Sequence, residues 1–174
     1  MMQNSGSFDA RFVSRSADNL YRIYVRGSDL YFINLGGVSA VTRVVTAQFG
    51  LLGALMDLAL RKRVERRTEA LLQRADAQNP EVLLRENQSN FKLYAPEISD
   101  AVIEPPSLWA MHGQQTGRWN FQTRDGKKFR FEFVTADAMK AALAVLPESL
   151  NATLRVNVEW NPLKQKFQKK KALY

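Results

Sequence analysis

Apolar residues recur at every second position in two widely separated stretches of the chain. In LYRIYVRGSDLYFINL (20–35), Ile23 and Val25 alternate with Tyr24 and Arg26, and Leu30 and Phe32 flank Tyr31. A period of two over so short a run predicts strands. Gly27-Ser28 between them suits a two-residue type II′ turn with glycine first. That turn opposes Val25 to Leu30 and Ile23 to Phe32 on one face, and Tyr24 to Tyr31 on the other. In the second stretch, GRWNFQTRDGKKFRFEF, Trp119, Phe121 and Thr123 share one side, as do Phe129, Phe131 and Phe133 after the turn. A two-residue Asp125-Gly126 loop would oppose Phe121 to Arg130 and mix the faces. A three-residue loop, Arg124-Asp125-Gly126, opposes Phe121 to Phe129 and Trp119 to Phe131, and is the one expected. Each ribbon then has an aromatic face to bury, and the two faces are expected to share one interior.

Weaker strands lie at 90–95 and 97–104, separated by Pro96 and closed by Pro105-Pro106, with a short one in SLWAMH (107–112). Near the end, TLRVNVEW puts Leu154, Val156, Val158 and Trp160 on one side of a strand over 153–160. A helix over 136–146 follows from the stripe Met139, Ala142, Leu143 and Leu146, with Thr135 as its cap, Asp137 in the first turn and Pro147 as its stop.

A helical insertion at about 38–89 separates the two ribbons. It contains FGLLGALMDLALRKRVERR, where Leu51, Leu52, Leu55, Leu58 and Ala59 form one helical face that Lys62 and Arg66 continue. A second stripe, Val64, Leu71, Leu72 and Ala75, sits well round the helix, so a bend or a break near Arg61 is expected. Residues 41–60 are long enough to span a bilayer, but Arg43, Gln48 and Asp57 lie inside. A single crossing would also put the two ribbons on opposite sides, so no transmembrane span is expected. Whether helix 49–60 covers the sheet or faces outward is open at this point.

Charge changes the picture more than composition does. The formal net charge is +8, and it is local. Arg61, Lys62, Arg63, Arg66 and Arg67 form one patch with a single acid among them, and Lys164, Lys166, Lys169, Lys170 and Lys171 form a second in NPLKQKFQKKKALY. The remainder is close to neutral, which points to local electrostatic contacts rather than a uniformly basic coat. These ten residues are the candidate anion- or lipid-binding positions. Three partner classes fit them: an anionic lipid surface, an acidic protein partner or a second copy of the chain, and nucleic acid through the basic tail.

Catalytic chemistry has little to stand on. There is no cysteine and one histidine, His112, so neither a thiolate nor a histidine-rich zinc site is expected. Gly36-Gly37 lacks the Walker lysine and the GxGxxG spacing, and is expected to turn the chain. No enzyme activity, cofactor or metal is expected. The first twenty residues lack the apolar core of a signal peptide, and a cytoplasmic protein, peripheral at the membrane, is the expected setting.

The strands expected at 20–26, 29–35, 90–95, 97–104, 107–112, 117–123 and 127–134, followed by helix 136–146, resemble in order a PH-like domain of the bacterial, GRAM-related kind. The passage from an aromatic Asp-Gly hairpin into the alanine-rich helix resembles that family most. The resemblance implies an α+β fold: a bent antiparallel sheet or partly open barrel, capped by its C-terminal helix. One such domain is expected over 1–160; the insertion between its second and third strands and the strand at 153–160 depart from the family's plan, and the lysine run gives a basic tail over 161–174. The resemblance further implies a binding or scaffolding module for lipid or protein, with Arg22 and Arg26 nearest the family's anion-binding loop.

Overall fold

The computed structural model describes residues 5–13, 17–39, 70–106 and 116–170. The strands are β1 (Ser5–Val13), β2 (Ala17–Arg26), β3 (Asp29–Ser39), β4 (Phe91–Tyr94), β5 (Ile98–Glu104), β6 (Arg118–Thr123), β7 (Lys128–Phe133), β8 (Leu154–Val156), β9 (Val158–Asn161) and β10 (Lys166–Lys169). The helices are α1, described over 70–77, the single turn α2 (Pro80–Leu83) and α3 (Ala136–Leu150).

Both ribbons pair as their apolar faces require. Val25 opposes Leu30 and Ile23 opposes Phe32; Phe121 opposes Phe129 and Trp119 opposes Phe131. Gly27 sits at φ +58, and Ser28 after it is not left-handed, as a type II′ turn demands. Gly126, at φ +87, occupies the left-handed place in the three-residue loop, where a side chain would be strained.

Eight strands form one sheet in the order β4-β3-β2-β1-β7-β6-β5-β8, and β9 and β10 form a separate two-stranded ribbon. All pairs are antiparallel except β5 with β8. With α3 against it, this is an α+β fold. The two ribbons therefore belong to one sheet, so the insertion leaves and rejoins a single body, which one bilayer crossing could not do. Among the described residues no helix is long and apolar enough to cross a membrane.

The sheet curls. Phe32 of β3 lies three strands away from β7 in the ladder, yet its ring sits 5.5 Å from Phe131 and 6.1 Å from Trp119, centroid to centroid. Phe91 of β4 similarly stacks at 5.6 Å on Phe129. The β1–β4 and β5–β7 halves thus face each other across an aromatic interior. No strand ladder joins β4 to β5, so the curl stays open there. Trp119, Phe131 and Phe133 are buried, and Phe129 is half-buried at the margin.

α3 closes the interior from one side. Thr135 Oγ1 accepts the Ala138 N–H at 3.1 Å, and Met139, Ala142, Val145, Leu146 and Leu150 are buried. The helix lies so close to β1 that a Cβ on Gly6 would stand 2.6 Å from Val145 Cγ1. Pro147 does not end it. Proline removes one backbone donor, but the next turn inserts Leu150 into the core, and the helix runs on to that residue.

Other departures have equally local causes. β1 was not anticipated from the pattern; it joins the two halves, pairing with β2 along its length and with β7 through Ala10–Phe12. The insertion therefore follows the third strand, not the second. Gly36 and Gly37 stay within β3, beside a bulge that skips Leu35 in the register with β2, and do not turn the chain. The strand expected over 153–160 divides at Asn157 into β8, parallel to β5, and β9. The expected strand at 107–112, His112 and helix 49–60 lie outside the described residues.

A second, smaller core covers the outer face of β3. Ile33 and Leu35 are buried there against Ala75 and Leu83, with Leu71, Leu72 and Tyr24 around them. This is where the second helical stripe goes: Leu71, Leu72 and Ala75 pack on the far side of the ribbon whose near side lines the aromatic interior.

Candidate functional site

Of the ten candidate basic residues, Arg61, Lys62, Arg63, Arg66, Arg67 and Lys171 lie outside the described residues. The other four come together on the β9–β10 hairpin, and the stretch read as a tail is folded as far as Lys169. Asn161 opposes Lys166, Trp160 opposes Phe167 and Val158 opposes Lys169. Phe167 and Val158 are buried and belong to the main core. Trp160 meets Phe167 edge-on at 5.0 Å, and Lys140 of α3 places its Nζ 4.2 Å from the Trp160 ring centroid. Backbone bonds tie the base down: Asn157 N–H donates to Ile103 O at 2.9 Å, and Lys170 N–H to Asn157 O at 3.0 Å.

Lys164, Lys166, Lys169 and Lys170 are exposed, and among the described residues none makes an ion pair. Glu159 is the single acid on this hairpin. Its Oε1 accepts from Gln168 Nε2 at 2.7 Å, and Gln168 Oε1 accepts from Asn161 Nδ2 at 2.9 Å. The amide ladder engages one oxygen of this carboxylate, and none of the four lysines pairs with it.

Arg22 and Arg26 are differently placed. Arg22 is held between two carboxylates, its Nη1 3.3 Å from Asp9 and its Nε 3.1 Å from Asp76 on α1. Tyr24 donates to the same Asp76 oxygen at 3.3 Å. Burial is the main influence raising the Asp9 pKa above the usual aspartate value. Burial, with the Asp76 carboxylate second, pushes the Tyr24 phenol up to about 12. Arg26 donates to Asn79 Oδ1 at 3.1 Å. Both arginines are engaged in seating α1 and α2 on the sheet. The Gly27-Ser28 turn beside them joins the second and third strands, so the position that the family resemblance suggested for anion binding is not the loop between the first two.

A cleft of about 610 Å³ opens where the curl is incomplete, between β4 and the β6–β7 turn. Phe91, Leu93, Pro96 and Phe129 give it apolar walls, and Lys92, Arg124 and Lys127 stand on its rim. Each of these cations is already engaged. Lys92 pairs with Asp29 at 2.8 Å, a hydrogen bond that raises its pKa, and it lies over the Tyr31 and Tyr94 rings. Lys127 pairs with Asp125 at 2.8 Å, and that bond, with one from Thr123, lowers the Asp125 pKa to about 2. Arg124 Nε donates to Pro96 O at 2.6 Å. At the edge of the cleft the Tyr94 N–H donates to Glu97 Oε2 at 2.7 Å. Two of the three cations on the cleft rim are thus paired with carboxylates and the third is bonded to a backbone carbonyl, whereas the hairpin lysines have no carboxylate partner among the described residues.

Leu163, at the hairpin tip, was not singled out from the sequence. It is 95% exposed, far above Val82, Tyr94 and Val134, the other large exposed apolar residues described. The Asn161-Pro162 pair was a legible turn signal, and Phe167 beyond it marks a return strand. No family model, curated protein or solved structure matches the chain.

Proposed function

We propose that the chain is a non-enzymatic binding module of PH-like build that associates with anionic membrane surfaces through its basic patches. The build is supported by the order of elements: a four-strand meander, β1–β4, then a three-strand meander, β5–β7, then a helix lying against the sheet. β8, β9 and β10 extend that plan, as the insertion between β3 and β4 does.

Surface binding rests on one observation: four lysines without carboxylate partners on a hairpin whose base is buried. A surface charge already paired inside its own protein has little left for a partner, whereas an unpaired one attracts anionic lipid by about 1 kcal/mol per lysine near the surface. Arg61–Arg67 would add a second patch of the same sign. The test is sedimentation of the full chain with phosphatidylcholine vesicles, with and without phosphatidylserine. Binding is expected to the anionic vesicles alone. It should weaken as added salt shortens the Debye length from about 10 Å towards about 3 Å. Equal binding to both vesicle types at low salt, or binding to neither, would remove the proposal.

A further inference from the structure

Resting on that reading, we infer that the hairpin meets the bilayer end-on, with Leu163 entering the interface and the lysines forming a collar behind it. An exposed leucine alone says nothing, since much of any protein surface is apolar. Here the leucine occupies the outermost turn of a hairpin that carries four exposed lysines and one acid, Glu159 in β9, and the turn is held in shape. Asn161 Oδ1 accepts the Lys164 N–H at 3.0 Å, and Gln165 Nε2 donates to Pro162 O at 2.7 Å. Gln165 itself is left-handed, at φ +48. A tip ordered in this way loses little further freedom on contact, so apolar burial is not spent on ordering.

The spacing of the lysines sets the depth. Lys166 pairs across the ribbon with Asn161, next to the turn, while Lys169 pairs with Val158 at the base. Three residues of strand separate them, about 10 Å. With Leu163 sunk by about 5–10 Å, as interfacial apolar groups are, Lys164 and Lys166 reach the headgroups. Lys169 and Lys170 then stand about one Debye length further out. A polyanion gripping the ribbon side-on, such as nucleic acid, would use all four equally and ignore the leucine. The proposal commits to lipid on that difference.

The experiment measures partitioning of the full-length chain into phosphatidylcholine–phosphatidylserine vesicles, and in parallel its affinity for heparin and for a single-stranded oligonucleotide. Leu163→Ala is expected to lower vesicle partitioning about ten-fold and to leave heparin and oligonucleotide affinity unchanged. K164S/K166S is expected to lower vesicle binding more than K169S/K170S. If Leu163→Ala binds vesicles like the wild type while the lysine variants do not, the insertion fails and the electrostatic reading survives. If the wild type ignores anionic vesicles, both fail. If Leu163→Ala weakens vesicle, heparin and oligonucleotide binding alike, the leucine acts by holding the hairpin together and the insertion is again overturned. Unfolding of the variants by circular dichroism serves as the folding control, with no shift expected for a side chain this exposed.

Discussion

The two faces of the β2–β3 ribbon are both buried, yet they are built from different chemistry. The inner face carries Ile23, Val25, Leu30 and Phe32, and it meets aromatic rings from β4, β6 and β7 with no ionised group at the contact. The outer face has a small apolar centre, Ile33 and Leu35 under Ala75 and Leu83, inside a rim of Arg22, Tyr24 and Tyr31. Every rim group reaches a carboxylate: Asp9 and Asp76 for Arg22, Asp76 for Tyr24, Asp29 and Glu81 for Tyr31. Apolar contact is indifferent to pH and salt, whereas a partly exposed polar rim responds to both. The inner face therefore holds the curl together, and the outer face holds the insertion in place by weaker and more adjustable means.

Three changes would break or sharpen that contrast. The largest effect is expected from Phe131→Ala. Its ring contacts Phe12, Tyr21, Phe32, Trp119 and Phe121, and truncating a buried phenylalanine costs about 3–5 kcal/mol. Urea unfolding should show a single transition at much lower midpoint. Leu83→Ala, in the outer core, is expected to cost about 2–3 kcal/mol, and to act locally. Hydrogen exchange should quicken over 70–94 while the β6–β7 amides keep their protection. Uniform loss of protection would mean that the two cores unfold together and that the contrast is one of composition only.

The smallest effect is a pH dependence. The folded protein keeps the Tyr24 phenol neutral, with its pKa near 12 against an unfolded value of 10.0. A group whose folded pKa is raised contributes fully below the unfolded value and loses that contribution as pH climbs through the folded one. The outer face should accordingly loosen between pH 10 and about 12, seen as quickened proteolysis within 70–90. Tyr24→Phe should lessen that loosening and remove one late-titrating phenol, while Tyr31 on the same face and Tyr21, both raised by burial, keep theirs; loosening undiminished in the variant would assign it elsewhere.

How much of this could be read from residues alone follows the range of the interactions. Gly27-Ser28 and Arg124-Asp125-Gly126 set their pairings through the parity of neighbouring side chains, so both ribbons were legible to the residue. β1 was not, because no tight-turn signal like Gly27-Ser28 marks its pairing with β2, and its other neighbour, β7, lies more than a hundred positions away. The stripe of Leu71, Leu72 and Ala75 was visible as an unexplained second face; its counterpart was hidden because Ile33 and Leu35 alternate with an inner set that already accounted for the ribbon. At the hairpin the lysines drew the eye to charge and away from Phe167, whose burial turns a basic tail into a rigid ribbon. Leu163 took on meaning only once that ribbon existed to present it.

The bond from Tyr94 to Glu97 reaches beyond the cleft it borders. β4 is an outer margin of the sheet, and its amides alternate: Ala95 N–H points inward to Ser28 O, so Tyr94 N–H points away from β3. An unclaimed outward amide is a template on which foreign strands can stack without limit. Here a glutamate of the same chain occupies it, and at the opposite margin β8 offers only three residues. Each rim thus carries a feature that opposes edge-to-edge polymerisation into fibres.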